Sequence, residues 1–272
     1  MNISGNDLHS VAAADWIEGA AKAFAVLESF SAERQRLSVS QIALRTGLTR
    51  AAARRHVLTL QALGYLEGET QTRSPHYWLT HRVLRLAGSY LASARLPRVV
   101  QPTLNRLALQ TGQALSVAVL DEAHAVIVAR SGEHRIASRT LPYGVNLGAR
   151  LAAFATSTGR VLLAQLSAQQ LKNFLSTHER PKLTAHTITN VAQLRRCIQN
   201  AAAQGYCEVH QEHELGVYAL AVPLHDAQNR VVAAMNLVLA NAKHNAPRST
   251  DALQKSYLTA MQEAATELRM LL

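Results

Sequence analysis

The sequence predicts an α+β chain: an N-terminal winged helix-turn-helix, a linker helix, and a larger C-terminal domain of sheet and helices. Three observations predict it. Two short helical patterns flank a glycine turn between Ser38 and Leu66, two strand patterns follow as a hairpin, and beyond Gly112 the apolar residues shift to strand-like runs.

Taken in order, residues 1–14 read as a disordered leader and 15–79 as the winged helix-turn-helix. Ile17 to Phe30 forms an amphipathic helix that turns Ala21, Phe24, Ala25 and Leu27 toward the core. Ser38, with Gln41 three residues later, makes a capping box; Ile42, Ala43 and Leu44 give the next helix its apolar contacts, and Gly47 ends it. Leu48 fills the corner. Thr49 caps a second helix, on which Ala53, Val57 and Leu60 recur at spacings of four and three and so face inward. Gly64-Tyr-Leu-Glu-Gly then opens a strand, Glu69 to Pro75 is a polar turn, and His76-Tyr-Trp-Leu returns, which makes a wing.

The outer face of the second helix carries Arg50, Arg54 and Arg55. Alanines at 51, 52 and 53 let the start of that helix approach another surface, with Arg50 and Ala51 to Ala53 nearest the bases, and the guanidinium forks pair with phosphate or guanine edges. From Arg34 to Leu66 there are six arginines and no acid, whereas a merely solvated helix is usually interrupted by glutamates. A three-helix bundle with a basic face is the competing reading; turn position, caps and charge together favour duplex DNA as partner. The expected contacts are Ser38, Ser40, Thr49, Arg50, Ala51, Ala52, Arg54 and Arg55, joined by Arg73 at the wing tip.

Thr80 caps a helix over residues 80–96 in which Val83, Leu84, Leu86, Ala87, Tyr90 and Leu91 are apolar on more than one face, as a linker that also dimerises would be. Pro97 is expected to stop it, and residues 97–272 form the last domain, beginning with a helix from Val99 to Gln110. Strands follow at Leu115–Leu120, Ala125–Ala129 and Ile136–Thr140, then helices at Thr156–Leu166, Ser167–Leu175 and Val191–Gln204. Strands return at Tyr206–Val209, Val217–Pro223 and Val231–Ala240 before a closing helix from Asp251 to Leu272.

At 272 residues and 48% hydrophobic composition the chain can build two cores, which excludes wholesale disorder. Its net charge of +10 fits a polyanionic partner without locating it, because residues 1–96 hold 11 Lys+Arg against 7 acids and the remainder 17 against 11. No apolar run reaches the roughly 18 residues of a membrane span, and Met-Asn-Ile-Ser-Gly-Asn-Asp is no signal peptide, so a cytoplasmic location is expected. Cys197 and Cys207 are too few for a disulfide framework and read as reduced thiols.

Several stretches resemble the IclR family of bacterial transcriptional regulators. Ile17-Glu-Gly-Ala-Ala-Lys-Ala-Phe-Ala-Val-Leu-Glu-Ser-Phe, Leu48-Thr-Arg-Ala-Ala-Ala-Arg-Arg, Leu63-Gly-Tyr and Leu79-Thr-His-Arg-Val-Leu-Arg-Leu are similar to its PcaR/PcaU/PobR branch, which mostly activates genes of aromatic-acid catabolism. Thr156-Ser-Thr-Gly-Arg-Val-Leu-Leu-Ala and Gly205-Tyr, followed by Glu212, Gly216 and Ala221-Val-Pro, resemble the family's effector domain. The resemblance implies a GAF-like ligand domain on a curved antiparallel sheet, homodimers or homotetramers, an organic acid as effector and RNA polymerase as a further partner. It implies no enzyme activity and no cofactor. Arg150-Leu-Ala-Ala-Phe departs from the branch's usual Arg-Leu-Pro-Ala-Tyr, and the segment from Arg135 to Gly148 is a few residues longer than the branch's.

Thr156, Ser157 and Thr158 open a helix, so their amides and hydroxyls form a natural carboxylate cradle, and the family places its effector there. An ordinary helix cap is the plainer reading of the same residues. The resemblance adds Arg150 and Phe154 before that helix, and Val209, Ala219, Asn236 and Val238 across the pocket. Where relatives often carry an acid at 209 and Cys or Ser at 219, this chain is apolar; only Asn236 keeps a strong polar handle, which suits an aromatic or otherwise bulky acid. His210 and His213, with Cys207, Glu208, Glu212 and Glu214, are metal-ligand types, but the spacing reads better as a polar surface turn, so no metal is expected. Gly144-Val-Asn-Leu-Gly-Ala-Arg lacks the Gly-Lys-Ser/Thr of a phosphate loop. A small-molecule enzyme with an accessory DNA-binding domain is the alternative, with Ser157 or Cys207 as nucleophile, and no Gly-x-Ser-x-Gly elbow supports it.

Overall fold

Local caps organise the first part of the computed structural model, which describes residues 12, 15–31, 34–69, 72–132, 146–240 and 251–272 and parts into two units between Ser93 and Ala94. The first unit runs α1 (Glu18–Glu28), β1 (Leu37–Ser38), α2 (Val39–Thr46), α3 (Arg50–Ala62), β2 (Leu66–Gly68), β3 (His76–Leu79) and, after a 3-10 turn, α4 (Leu84–Ser93). The Gln41 amide donates to Ser38 Oγ at 3.4 Å and the Ser38 amide to Gln41 Oε1 at 2.8 Å, closing the capping box. Gly47 ends α2 with φ 68°, a left-handed turn that costs glycine nothing. The Ala52 amide donates to Thr49 Oγ1 at 3.2 Å.

These helices bury Val26, Phe30, Ile42, Ala53, Val57 and Leu60 against Leu37, Leu66 and Tyr77 of a three-stranded antiparallel sheet, order β1-β3-β2. Two expected core residues lie outside: Phe24 is 56% exposed and Leu44 86%. Each stands two residues, about 200° of helical rotation, from a fully buried neighbour, Val26 and Ile42. The helix expected over 80–96 is a 3-10 turn (His81–Val83) and then α4. The break comes at Ala94, and Pro97 is buried in the first turn of α5 (Arg95–Thr111), where its missing N–H is one the helix leaves unused. Proline here begins a helix and does not stop one.

The second unit continues with β4 (Ala114–Asp121), β5 (His124–Arg130), β6 (Arg150–Ala152), α6 (Ser157–Leu163), α7 (Ala168–Thr177), α8 (Val191–Gln204), β7 (Cys207–His210), β8 (Val217–His225), β9 (Val231–Ala240) and α9 (Asp251–Leu268). Among the described residues six antiparallel strands form one sheet, order β6-β5-β4-β9-β8-β7, and bulges at Val117/Ala118 and Leu224/His225 curve it. On one face, Leu115, Val117, Leu220, Val222, Met235 and Leu237 meet Val100, Leu104 and Leu107 of α5 and Met261 of α9. The other face carries smaller residues, Ala118, Ala125, Ala221 and Ala234 with Cys207 and Val209, against Val161 and Leu162 of α6 and Ala201 of α8. Beyond α6, Phe154 and Leu163 pack with Leu171, Phe174, Leu194 and Ile198.

The strand expected at Ile136–Thr140 lies outside the described residues, as does the leader apart from residue 12. Among the described residues no helix is long and apolar enough to cross a membrane.

Candidate functional site

Two sets of residues carry chemistry, one in each unit. On α3, Arg50, Ala51, Arg54 and Arg55 are exposed and Ala52 is half-buried, while Ala53 is fully buried in the core. Ala53 therefore cannot reach a base, contrary to the expectation for Ala51 to Ala53 together. Arg50 and Arg54 stand four residues apart and stack on one face, and the first turn of α3 holds no acid to neutralise them. Thr49 and Ser38 spend their hydroxyl oxygens on caps; Ser40 and Arg73 are exposed. At the root of the wing Arg36 lies 4.6 Å over the Trp78 ring and 3.8 Å from Glu69. The Glu69 carboxylate accepts the His76 amide at 3.2 Å, which holds its pKa below the usual range.

Such a face can grip phosphate and read the major groove. Arg54→Ala is expected to weaken operator binding by about 1–3 kcal/mol if the guanidinium reads a base edge. Unchanged gel-shift affinity for Arg50→Ala, Arg54→Ala and Arg55→Ala alike would remove α3 from the interface.

The second set lies where α6 meets the small-residue face of the sheet. Ser157 and Thr158, at the start of α6, are 0% and 1% exposed, and Ser157 Oγ donates to Asn236 Oδ1 at 3.4 Å. Register explains the rest: Asn236 is the partner of Ser116 on β4 and Ala221 on β8, and Val238 that of Ala219, which pairs with Val209. Because strand side chains alternate, all these residues share the face that meets α6. With Oδ1 taken by Ser157, the Asn236 amide keeps N–H donors for a ligand oxygen, among walls of Ala and Val.

Three expected effector contacts do not join this group. Thr156 is spent on the cap, its Oγ1 accepting the Gly159 amide at 3.1 Å and donating to the Ala152 carbonyl at 3.2 Å. Arg150 sits exposed on the edge strand β6, held by Asp121 at 2.9 Å and by His124 Nδ1 at 3.3 Å. Phe154 is buried on the far side of α6 with Leu171 and Phe174, and its carbonyl accepts Arg160 Nε at 2.9 Å.

The deciding likeness covers both units. Residues 19–69 match the IclR helix-turn-helix domain and residues 88–269 match the bacterial transcriptional regulator IclR C-terminal domain. The chain belongs to the IclR family. It is 43% identical over 258 residues to the Pca operon regulatory protein of Acinetobacter baylyi, covering 95% of this chain and 90% of that one. It is 42% identical to that organism's p-hydroxybenzoate hydroxylase transcriptional activator, covering 94% and 92%. Among solved structures, the inducer-binding domain of a double mutant of the PobR transcription factor from Acinetobacter, in complex with 3-hydroxybenzoic acid, matches at 37% identity and a TM-score of 0.60, over 65% of this chain and 98% of that one.

As an IclR protein the chain is a DNA-binding transcriptional regulator, and its relatives are regulators, not enzymes. The thiol of Cys207, offered as a nucleophile in the alternative reading, is pushed up to about 12 by burial and carries no thiolate near neutral pH. Among the described residues no cluster of three or more His, Cys, Asp or Glu could hold a metal ion. Glu212 lies in the polar turn between β7 and β8 that the sequence indicated, but it does not face solvent there. It is buried and takes both terminal nitrogens of Arg160, at 2.8 and 2.6 Å. Sequence reasoning missed this pair and Ser116, although one serine inside the apolar run Leu115-Ser-Val-Ala-Val-Leu was a visible signal.

Proposed function

We infer that this IclR protein regulates the catabolism of an aromatic or related organic acid and that the acid itself is its effector. One observation carries the reading: a buried polar pair, Ser157 and Asn236, with Ser116 beside it, stands in a face otherwise lined mainly by small apolar residues, beside a helix start. A hydroxybenzoate has the matching shape, a flat apolar ring with oxygen atoms at its ends. The relatives support it, since one is named for activating p-hydroxybenzoate hydroxylase and the matching PobR domain holds 3-hydroxybenzoic acid. Ser157, Thr158, Val209, Ala219, Asn236 and Val238 contact the effector, and Arg50, Ala51, Arg54 and Arg55 contact operator DNA. A melting-temperature series with hydroxybenzoates tests this, because a ligand that binds only the folded state raises the midpoint as its concentration rises. A midpoint that no aromatic acid moves counts against it.

In this reading residues 15–79 bind DNA, 80–96 link, and 97–272 sense the acid, in the cytoplasm, with RNA polymerase as a further partner. The active unit is a dimer or tetramer. Leu86 and Tyr90, four residues apart and so on one side of α4, are 53% and 47% exposed, an apolar face that a second copy covers. One recognition helix also touches too few base pairs to be selective alone, so the operator consists of paired half-sites. Sedimentation as a monomer with a footprint on one half-site would contradict this assembly.

A further inference from the structure

Arg160 and Glu212 put opposite charges where almost no water reaches, with side chains 2% and 8% exposed. Apolar residues of similar volume often serve stability as well as such a pair. What the pair adds here is position. Arg160 lies three residues beyond Ser157 on α6, and its Nε is anchored to the Phe154 carbonyl in the turn before that helix. Glu212 lies in the turn between β7 and β8, the strands that carry Val209 and Ala219. Its carboxylate also accepts the Ile188 amide at 2.9 Å and its carbonyl the Thr187 hydroxyl at 2.7 Å, while the Thr184 hydroxyl donates to the Gln211 carbonyl at 2.7 Å. One ion pair thus fastens α6, the β7–β8 turn and residues 184–188 to each other.

We propose that Arg160 and Glu212 are positioning residues for the effector, holding Ser157 of α6 at a fixed distance from Val209 and Ala219 and strapping residues 184–188 to the same carboxylate. Neither side chain touches the ligand. The proposal rests on the reading of Ser157 and Asn236 as effector contacts, and it locates the setting of affinity in a pair outside that contact set.

The test compares the full-length wild type with Arg160→Met/Glu212→Leu, which leaves no unpaired charge, and with Thr187→Val, an isosteric change that removes the hydroxyl's bonds to the Glu212 carbonyl and from the Thr184 amide and leaves the ion pair in place. The double variant folds, with a melting temperature below that of wild type because the Phe154 carbonyl and the Ile188 amide lose their partners. Amide hydrogen exchange at 157–160 and 184–188 quickens while β4 and β5 keep their protection, and affinity for 4-hydroxybenzoate falls about tenfold or more. Thr187→Val quickens exchange at 184–188 alone and weakens 4-hydroxybenzoate about threefold. Wild-type exchange in both segments, or wild-type affinity in the folded double variant, overturns the proposal. If the double variant does not fold, Thr187→Val decides by the same two readouts. If wild type binds no hydroxybenzoate, the effector reading is what falls, and the exchange result alone decides the brace.

Discussion

Gly159→Ala is expected to lower the stability of the C-terminal unit by about 2–3 kcal/mol, near the upper end for overpacked cores. A Cβ at this position would stand 2.2 Å from the Ala153 carbonyl oxygen and 2.3 Å from its Cα. Both are backbone atoms of the 3-10 turn that leads into α6, so no side chain can swing away. The higher helix propensity of alanine returns about 1 kcal/mol, which is less than the clash takes. The same glycine amide donates to the Thr156 cap, so any shift that relieves the clash also loosens the start of α6 and withdraws Ser157 from Asn236. Urea unfolding reads the first effect and effector titration the second; a denaturation midpoint equal to that of wild type would show that the turn yields freely.

The second large effect concerns the polar pair itself. In Asn236→Leu the Ser157 hydroxyl loses its acceptor and the ligand loses its amide, and an unpaired buried hydrogen-bonding group costs about 1–3 kcal/mol, or roughly five- to 150-fold in affinity. Ser157→Asp is harsher for an acid, since a carboxylate placed 0% exposed beside the site repels an incoming anion. Both variants should lose the effector response and keep operator affinity, because neither residue lies in the unit that carries α3. A normal response to the identified effector in either variant would remove the pair from the binding site.

Much of the first unit was legible because its signals are local. Ser38 with Gln41, Gly47 and Thr49 each act within four residues, and the structure uses each as the chemistry requires. Phe24 and Leu44 were misplaced for a related reason: counting apolar residues shows that a helix has an inner face but not its rotational phase, which Val26 and Ile42 fix by packing. Pro97 misled because a proline marks either boundary of a helix, and only the break at Ala94 shows which.

The site was less legible, because its partners are distant in sequence. Arg160 and Glu212 are 52 residues apart, and Ser116 meets Asn236 only through the pairing of β4 with β9. Glu212 was read from polar neighbours as solvent-facing, whereas a carboxylate that receives a guanidinium and the Ile188 amide can stay inside. Thr156 behaved as the plainer helix-cap reading required, and its hydroxyl serves the fold.

Calorimetric titration of the purified full-length chain with 4-hydroxybenzoate, 3-hydroxybenzoate and their methyl esters tests the central claim most directly. The account predicts saturable binding of at least one free acid, much weaker binding of its ester, and loss of that binding in Asn236→Leu. Equal binding of acid and ester, or an Asn236→Leu variant that binds the acid as wild type does, would contradict it.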